Sequence, residues 1–374
     1  MIINIMERLI MNSIYIDGLF YKGSGIGRYY EFSIQELSQY AIIYIYVPMK
    51  FKNEFYQQFG NNDKIVPIST KYEKFSLKGL LIQSKILKSL ENKVYLFFFP
   101  HINLPLYISQ NTVVTVHDLR PFTEYWDRGE FKKLIIKKLF FDRAIKYSKA
   151  IISISKTTKN DLLKFYSEVQ NKIVVIYETF SINKKSTETK QNIVGDYLLY
   201  VGQFKKHKNL DRLLKAFSMI KNKIKCKLVI AGKKDNIDIY NSIKSLNLGD
   251  RVVVIKNPSD GELINLYKNA KFFISPSLYE GFGLPPLESL NYDVPVILSD
   301  IPVFREIYED IAIYFNPFSE ENIAEKIIFA LSNYNSIKQK TVSEKDKIFN
   351  KFEKRKIVKQ YLELFNKIIK GELA

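Results

Sequence analysis

The chain alternates short apolar runs with longer amphipathic segments, and it does so in two separate blocks. In the first half, runs such as "SIYIDGLF", "AIIYIYVP" and "TVVTVHD" are rich in β-branched and aromatic residues, and polar or helical sequence follows each of them. Near-continuous apolar strands separated by helices are typical of a parallel sheet covered on both faces. The alternation restarts at "YLLYVG" and continues through "CKLVIAG", "RVVVIK" and "KFFISPS". The sequence therefore predicts two doubly wound α/β domains.

A polar segment, "YETFSINKKSTETKQNIVGD", separates the two blocks and has the composition of a linker. We place an N-terminal domain at 11–185, a C-terminal domain at 186–355 and a final helix at 356–374, which is compatible with a return to the N-terminal domain. Met11 directly precedes the first strand, so residues 1–10 are expected to be an extension without a structural purpose. Ligands bind at the carboxyl ends of parallel strands, which predicts a site in a cleft between two facing domains.

The composition narrows the class of protein. The chain is 46% hydrophobic and 26% charged, as expected for a folded globular protein. Its formal net charge of +18 favours anionic partners such as nucleotides or anionic lipid, although scattered surface lysines alone would also explain it. The chain has a single cysteine, Cys226, so a disulfide within the chain is impossible. No stretch of the sequence is long and apolar enough for a helix that spans a membrane. We expect a cytoplasmic protein. No RNP, zinc or OB-like pattern points to nucleic acid.

The loop "SPSLYEGFGLPPLESLNYDVPVILSD" combines two carboxylates, glycines and a helix start. Gly281 and Gly283 permit close backbone approach, and Pro286 suits the first position of a helix. Free N–H groups at that helix end would attract a diphosphate. Glu280, and Glu288 in the predicted first turn, are strong acceptors for the vicinal diols of sugars. Ordinary capping and turn chemistry would produce similar residues.

The stretch "EGFGLPPLE" resembles the E-x7-E signature of retaining glycosyltransferases of family 4, which have the GT-B fold. Its flanks are also similar to that family, as are "SGIGRY", "VVTVHDLRPF" and "YLLYVGQFKKHKNLDRLLKAF". The resemblance runs from about Ile14 to Pro317. It implies two Rossmann-like, doubly wound domains that face a central cleft.

The resemblance assigns roles to the residues of the glutamate loop. Glu280 would hold hydroxyl groups of the donor sugar and is counted among the catalytic residues. Glu288 would hold the ribose diol of the nucleotide. Backbone N–H groups around Phe282, Gly283 and Leu284 would approach the sugar and the phosphates.

The segment "VGQFKKHKNL" resembles the one that carries the phosphate-binding lysine of the family. Lys208 aligns with that lysine, and Gly202, at the end of the preceding strand, is assigned to the same nucleotide-sugar site. His207 stands where the family commonly has arginine. Lys205 or Lys206 would then supply the second positive charge, and the sequence does not choose between them. A solvated basic turn is the alternative interpretation.

Two motifs of the N-terminal half complete the predicted site. Gly25 and Gly27 are expected to precede a helix and to let its backbone approach a phosphate. In the family, the histidine that aligns with His117 reaches the donor sugar near the reacting carbon, which makes His117 a catalytic candidate. Asp118 is the acceptor-side base or the residue that orients His117, and both interpretations stay open.

The resemblance implies a retaining glycosyltransferase that moves a hexosyl residue from a nucleotide-diphospho-sugar to a growing surface polysaccharide, O-antigen or capsule-like, on a lipid carrier. Mannose or rhamnose is slightly favoured as the sugar. No Asp-x-Asp motif is needed, so we expect no obligatory metal and no cofactor. The alternative is a GT-B enzyme that glycosylates a soluble sugar or sugar phosphate.

The segment "EFKKLIIKKLFFDRAIKYSKA" is basic and apolar at roughly helical spacing. Such a helix can lie on an anionic membrane, which predicts peripheral association with the inner face of the cytoplasmic membrane. A surface helix packed on the N-terminal sheet is the alternative. The basic residues of the segment are Lys132, Lys133, Lys137, Lys138, Arg143 and Lys146.

Overall fold

The computed structural model describes residues 13–22, 24–72, 76–124, 131–179, 193–232 and 237–373. The chain divides into two compact units. Unit 1 comprises Met1–Leu119, Glu130–Thr179 and Phe352–Ala374, and unit 2 comprises Arg120–Gly129 and Phe180–Lys351. The predicted boundary between residues 185 and 186, most of the polar linker, and the extension before the first strand with Met11 all lie outside the described residues.

Unit 1 is built on a sheet of seven parallel strands. They are β1 (Ser13–Asp17), β2 (Ile42–Pro48), β3 (Ile65–Thr70), β4 (Leu96–Phe99), β5 (Thr112–Val116), β6 (Ala150–Ser153) and β7 (Ile173–Val175). Their order across the sheet is β3-β2-β1-β4-β5-β6-β7. Every residue of β1, β4, β5 and β6 is buried, which explains why these strands read as continuous apolar runs.

Helices alternate with these strands along the chain. They are α1 (Ser24–Leu37), α2 (Lys52–Phe59), α3 (Leu77–Leu90), α4 (Phe131–Tyr147) and α5 (Lys156–Phe165). Ser155 is the N-cap of α5, as the sequence predicts, because its hydroxyl accepts the N–H of Thr158 at 2.9 Å.

Unit 2 repeats the same construction with six parallel strands. They are β8 (Tyr197–Val201), β9 (Lys227–Gly232), β10 (Val252–Lys256), β11 (Phe272–Ser275), β12 (Val296–Ser299) and β13 (Ile313–Phe315), in the order β10-β9-β8-β11-β12-β13. The helices are α6 (Leu210–Ile220), α7 (Ile237–Ser245), α8 (Asp260–Asn269), α9 (Leu284–Asn291), α10 (Pro302–Tyr308), α11 (Glu320–Ser332) and α12 (Tyr334–Phe349).

In both sheets the first strand, β1 or β8, lies in the interior of the sheet. The next two strands in sequence extend the sheet on one side of it, and the later strands extend it on the other side. This order is that of a doubly wound Rossmann-like sheet. The prediction of two such units is therefore confirmed. In each, a site is expected at the carboxyl ends of the central strands, and the predicted cleft between the domains stays a prediction.

The C-terminal helix, α13 (Lys354–Ile369), belongs to unit 1 although it follows unit 2 in the sequence. Its start is two residues before the predicted residue 356. Tyr361 and Phe365 place their rings 5.9 Å and 5.4 Å from the ring of Phe98 on β4. The Tyr361 hydroxyl also bonds to the hydroxyl of Tyr29, so the last helix is tied to α1 as well as to the sheet.

Candidate functional site

The glutamate loop of unit 2 leads from β11 into helix α9. The helix begins at Leu284, which corrects the predicted start at Pro286. Gly283 is the N-cap, and Pro285 and Pro286 occupy the second and third helical positions. Proline has no N–H, so only Gly283 and Leu284 carry backbone donors at this helix end. The end therefore offers two adjacent donors rather than the usual four.

Gly283 is required by its own geometry. Its φ is +92°, a left-handed conformation that side chains rarely adopt. A Cβ there would lie 2.6 Å from Cε1 of Phe304, and the Tyr308 hydroxyl donates to the Gly283 carbonyl. Phe282 next to it is 2% exposed, so its side chain belongs to the core and only its backbone can face a ligand.

Glu280 and Lys208 form an ion pair at the carboxyl edge of the sheet. Lys208 ends a 3-10 turn, Lys206–Lys208, between β8 and α6. Its Nζ lies 2.5 Å from Oε1 of Glu280, and the Ser277 hydroxyl donates to the same oxygen at 2.7 Å. The Lys208 side chain keeps 19% of its surface exposed and the Glu280 side chain keeps 15%. The structure thus brings together the lysine that was predicted to bind phosphate and the glutamate that was predicted to bind the sugar.

Glu288 is held differently. It is the fifth residue of α9 and so lies in the second turn, not in the predicted first turn. It is 4% exposed, and the hydroxyl of Tyr267 on α8 donates to its Oε2 at 2.6 Å. The Tyr267 hydroxyl thus helps to hold the carboxylate in position.

A small pocket joins part of this set. It is lined by Tyr200, Val201, Lys208, Ser275, Ser277, Glu280, Gly283, Pro285, Pro286 and Phe304. Of the predicted binding residues it contains Lys208, Glu280 and Gly283 but not Glu288 or Gly202.

Gly202 directly follows β8, and a glycine is favoured there for a steric reason. Its N–H donates to the carbonyl of Ala231 at 3.0 Å, so this donor is already used within the sheet. A Cβ at this position would lie 2.6 Å from the hydroxyl of the buried Tyr200. Its assignment to the nucleotide-sugar site stays a prediction, and the structure supplies a packing role.

His207 is buried beside Lys208 and is surrounded by cations. Nδ1 and Nε2 of the ring both lie 3.3 Å from Nη1 of Arg120. Burial, with Lys208, Arg120 and Lys205 nearby, lowers the pKa of His207 to about 2. The imidazole is therefore neutral at any physiological pH.

His117, in unit 1, directly follows β5 and has both ring nitrogens engaged. Nδ1 lies 3.0 Å from Oε1 of Glu178 and Nε2 lies 2.9 Å from the carbonyl oxygen of Pro100. Burial lowers the pKa of His117, but the Glu178 carboxylate and the Pro100 carbonyl raise it more, so the net direction is upward. Two acceptors on two ring nitrogens favour the doubly protonated imidazolium.

Asp118 acts on His117 through its charge, as the weakest of the influences that raise the pKa. The hydrogen bond to Nδ1 comes from Glu178, so Glu178 and not Asp118 fixes the ring by that bond. The role of Asp118 as an acceptor-side base stays a prediction.

Gly25 and Gly27 lie inside the first turn of α1 rather than before it, which corrects the predicted position. Gly25 is exposed, and a Cβ there would meet no heavy atom within 4 Å. Gly27 is buried, and a Cβ at this position would lie 3.3 Å from the backbone of Lys22. A phosphate-binding role for either glycine stays a prediction.

Two further features are absent from the part of the chain that the structure describes. Those residues contain no cluster of three or more His, Cys, Asp or Glu side chains that could hold a metal ion. Within the same ranges, no helix combines the length and apolarity needed to cross a membrane.

The second unit has a recognised family signature. Residues 181–349 match the family model of group 1 glycosyl transferases. This range contains both carboxylates of the loop, Lys208 and helix α9.

Curated relatives extend the similarity beyond that range. The chain is 33% identical over 223 residues to the O-antigen chain mannosyltransferase RfbU of Salmonella typhimurium, an alignment that covers 59% of this chain and 61% of RfbU. It is 24% identical to O-antigen chain mannosyltransferase B of Escherichia coli, over 64% of this chain and 66% of that protein. The match thus spans less than two thirds of either relative.

Solved structures share the fold over nearly the whole chain. Sucrose-phosphate synthase from Thermosynechococcus elongatus superposes with a TM-score of 0.77 at 16% identity, covering 96% of this chain and 100% of that one. Anabaena HepE in complex with UDP-glucose gives a TM-score of 0.74 at 13% identity, with 95% and 99% covered. These similarities show the GT-B fold.

Three residues of the site were not predicted from the sequence. Glu178 lies in "YETF", at the start of the segment that has the composition of a linker, so nothing marked it as a site residue. Arg120 lies in "HDLRPF", a motif in which only the histidine and the aspartate were predicted to be site residues. Tyr267 had no signal, because its contact with Glu288 joins two helices 21 residues apart in sequence.

Proposed function

We propose that this protein is a retaining glycosyltransferase of family 4 that transfers a hexosyl residue from a nucleotide-diphospho-sugar. The observation that carries the proposal is the Lys208–Glu280 pair, at 2.5 Å beside the N-terminal end of α9. A cation, two adjacent backbone donors and a carboxylate at one sheet edge fit a sugar joined to a diphosphate. The match of residues 181–349 to group 1 glycosyl transferases supports the same conclusion.

Each residue has a role in this proposal. Lys208 and the N–H groups of Gly283 and Leu284 bind the diphosphate. Glu280 accepts hydrogen bonds from the sugar hydroxyls, and Glu288, held by Tyr267, accepts them from the ribose diol. Unit 1 binds the acceptor and contributes His117 as a positively charged group.

The chemistry follows from charge development. As the bond between the anomeric carbon and the phosphate oxygen breaks, positive charge grows on the sugar and negative charge on the diphosphate. Lys208 and the helix end stabilise that negative charge, and such stabilisation is usually a large catalytic contribution. The acceptor hydroxyl attacks from the leaving-group side, and its proton passes to the diphosphate oxygen, so the anomeric configuration is retained. No metal is required in this scheme.

The acceptor is proposed to be a growing O-antigen-like polysaccharide on a lipid carrier, with mannose as the favoured sugar. Support comes from the similarity to RfbU, which is named an O-antigen chain mannosyltransferase. The second candidate is a soluble sugar or sugar phosphate, since sucrose-phosphate synthase is among the structural neighbours. A lipid-linked oligosaccharide and a panel of free sugars and sugar phosphates, offered as acceptors in parallel, would separate the two.

The test of the proposed function is a screen of UDP-, GDP- and dTDP-sugars with EDTA present. The wild-type protein should show a thermal shift with one nucleotide and release that nucleotide when an acceptor is added. Glu280→Gln keeps the size of the side chain but removes its charge, and it should bind the nucleotide yet lose turnover. The anomeric proton of the product, followed by NMR, should report retention.

The contradicting results are equally specific. If no nucleotide sugar shifts the wild-type protein, the donor assignment fails. If EDTA abolishes turnover that added Mg²⁺ restores, metal independence fails. A product of inverted configuration would overturn the retaining mechanism while leaving the glycosyltransferase assignment in place.

We also propose that helix α4 rests on an anionic membrane. Ile135, Ile136 and Leu139 expose 48%, 49% and 58% of their surfaces. Lys133 and Lys138 lie on the same helix, and the Lys132 side chain lies outside the described residues. Exposed apolar side chains interleaved with lysines fit a negatively charged lipid surface.

Sedimentation with vesicles of phosphatidylglycerol and phosphatidylcholine tests this contact. Leu139→Ser should reduce binding at low salt, since each buried apolar side chain contributes about 1.5–3 kcal/mol. Leu81→Ser is the matched control, because Leu81 is also exposed, at 51%, on helix α3 of the same unit. Equal vesicle binding by both variants and the wild type would contradict the membrane role of α4.

A further inference from the structure

The charge of Lys208 is already matched in the site. Its Nζ contacts Glu280, so this pair has no net charge. A nucleoside diphosphate carries at least two negative charges on its phosphates, and charge-assisted hydrogen bonds to phosphate are among the strongest that proteins make. A site of this kind needs a cation beyond the one that Glu280 neutralises.

Arg120 is positioned to supply that cation. It opens a short 3-10 helix, Arg120–Phe122, which belongs to unit 2. Its Nη1 lies 3.3 Å from both ring nitrogens of His207. The ring is neutral, so this contact orients the guanidinium without cancelling its charge. A planar fork of donors held in this way suits a phosphate.

The contact joins Arg120 to the turn that carries Lys208. His207 directly precedes Lys208, and its own carbonyl accepts the N–H of Leu278 at 2.8 Å. Leu278 lies two residues before Glu280 in the glutamate loop. His207 therefore connects three elements of the site, because it lies in the lysine turn, its imidazole contacts the arginine and its backbone carbonyl bonds to the glutamate loop.

We infer that Arg120 is the second diphosphate-binding cation of this site and that His207 is its positioning residue. The inference rests on the proposed function, and it replaces Lys205 and Lys206 as the source of the second charge. Both of those lysines are exposed and precede the buried histidine. The site would thus recruit its second cation from an earlier segment of the chain, since 87 positions separate Arg120 from His207.

Titrations with UDP, GDP and dTDP, each compared with its own nucleoside, test the inference. Arg120→Gln should weaken binding of the preferred nucleoside diphosphate by about 10- to 100-fold, the range expected for one charged hydrogen-bond partner. Binding of the uncharged nucleoside, measured by NMR, should change by less than about twofold. Arg120→Lys keeps a charge without the fork and should recover part of the affinity.

Lys215→Gln is the matched control, because it removes one positive charge from an exposed position on α6 of the same unit. It should bind the diphosphate as the wild type does. If Arg120→Gln fails to fold, Arg120→Lys carries the test, with an expected loss that is smaller but still confined to the diphosphate.

The outcomes separate this inference from the proposed function. If the wild type binds none of UDP, GDP and dTDP, the proposed function itself fails. If it binds one of them and Arg120→Gln binds it within about twofold as well, Arg120 is not a phosphate ligand. An equal loss for the nucleoside and the diphosphate would show that Arg120 only maintains the packing around His207, which also overturns the inference.

Discussion

The histidines His117 and His207 show how the pKa of one side-chain type shifts in opposite directions in two units of the same architecture. His117 in unit 1 has a carboxylate and a carbonyl on its ring nitrogens, and its pKa is raised. His207 in unit 2 is buried among Lys208, Arg120 and Lys205, and its pKa is lowered to about 2. Each lies beyond the carboxyl end of a parallel strand, so the difference comes from the partners and not from the fold.

The difference shows how two related sheets can serve different ligands. In unit 1 a carboxylate favours the charged form of the histidine. Unit 2 keeps its histidine neutral and carries its positive charge on lysine and arginine. A diphosphate site in unit 2 would therefore be insensitive to titration of His207, whereas the edge of unit 1 would respond to pH.

The largest expected effect is a loss of turnover when a cation of unit 2 is removed. Lys208→Met removes the cation that contacts Glu280 and also one of the charges that lower the pKa of His207. Turnover should fall by about 10²–10³-fold, the loss typical of removing one preorganised group that stabilises developing charge. Steady-state kinetics with the preferred donor would measure it.

Lys206→Met is the control for that experiment, because Lys206 is exposed in the same 3-10 turn. Its turnover should stay within about threefold of the wild-type value, as expected for a solvated surface charge. Equal losses in the two variants would show that the turn acts through its general basic charge and that Lys208 has no special place in it.

The next effect concerns the glycines at the two sheet edges. Gly283→Ala must adopt a φ of +92° and place its Cβ 2.6 Å from the Phe304 ring. The left-handed conformation alone costs about 1–2 kcal/mol, and the contact adds to it. Gly25 lies in the first turn of helix α1, and a Cβ there would meet no heavy atom within 4 Å. Gly25→Ala should therefore leave the stability of the protein unchanged or raise it by up to about 1 kcal/mol.

Urea unfolding of both glycine variants measures this contrast. A Gly283→Ala protein as stable as the wild type would mean that the glutamate loop can move away from Phe304. A strong destabilisation by Gly25→Ala would mean that the start of α1 packs more tightly than its exposure shows.

The sequence predicted the doubly wound units from local patterns, and its resemblance to family 4 assigned Lys208 and the glutamate loop to one site. Apolar runs identify strands, and glycine and proline mark the loop before α9. It did not predict Glu178 at His117 or Arg120 at His207, since these contacts join residues 61 and 87 positions apart. The start of α9 was misplaced because the two adjacent prolines are both compatible with a first turn.

A smaller effect tests the carboxylate side of the comparison. Glu178→Gln leaves His117 without its anionic partner, and it should lower both the pKa of His117 and the stability of the protein. A hydrogen bond to a charged group contributes about 1.5–3 kcal/mol, and a loss near the lower end is expected at pH 6. NMR titration is practical because the chain has only three histidines.

The pH dependence has a definite sign. Since the folded-state pKa of His117 is raised, the pair stabilises the protein fully below the unfolded value of about 6.5, and this contribution is lost as the pH rises through the folded value. The stability difference between Glu178→Gln and the wild type should therefore shrink from pH 6 to pH 9. Glu54→Gln, at an exposed position on α2, should show no such trend. A difference that grows with pH would contradict the charged pair.

The smallest effect is expected where a carboxylate has a neutral partner. Tyr267→Phe removes only the hydroxyl that donates to Oε2 of Glu288 at 2.6 Å, and it should cost about 1 kcal/mol. Because a phenol does not titrate between pH 6 and 8.5, this loss should be constant over that range, unlike the loss in Glu178→Gln. Thermal unfolding at several pH values compares the two variants directly. If the Tyr267→Phe loss also varied with pH, Glu288 would be changing its protonation, and its proposed role as an ionised acceptor for the ribose diol would have to be abandoned.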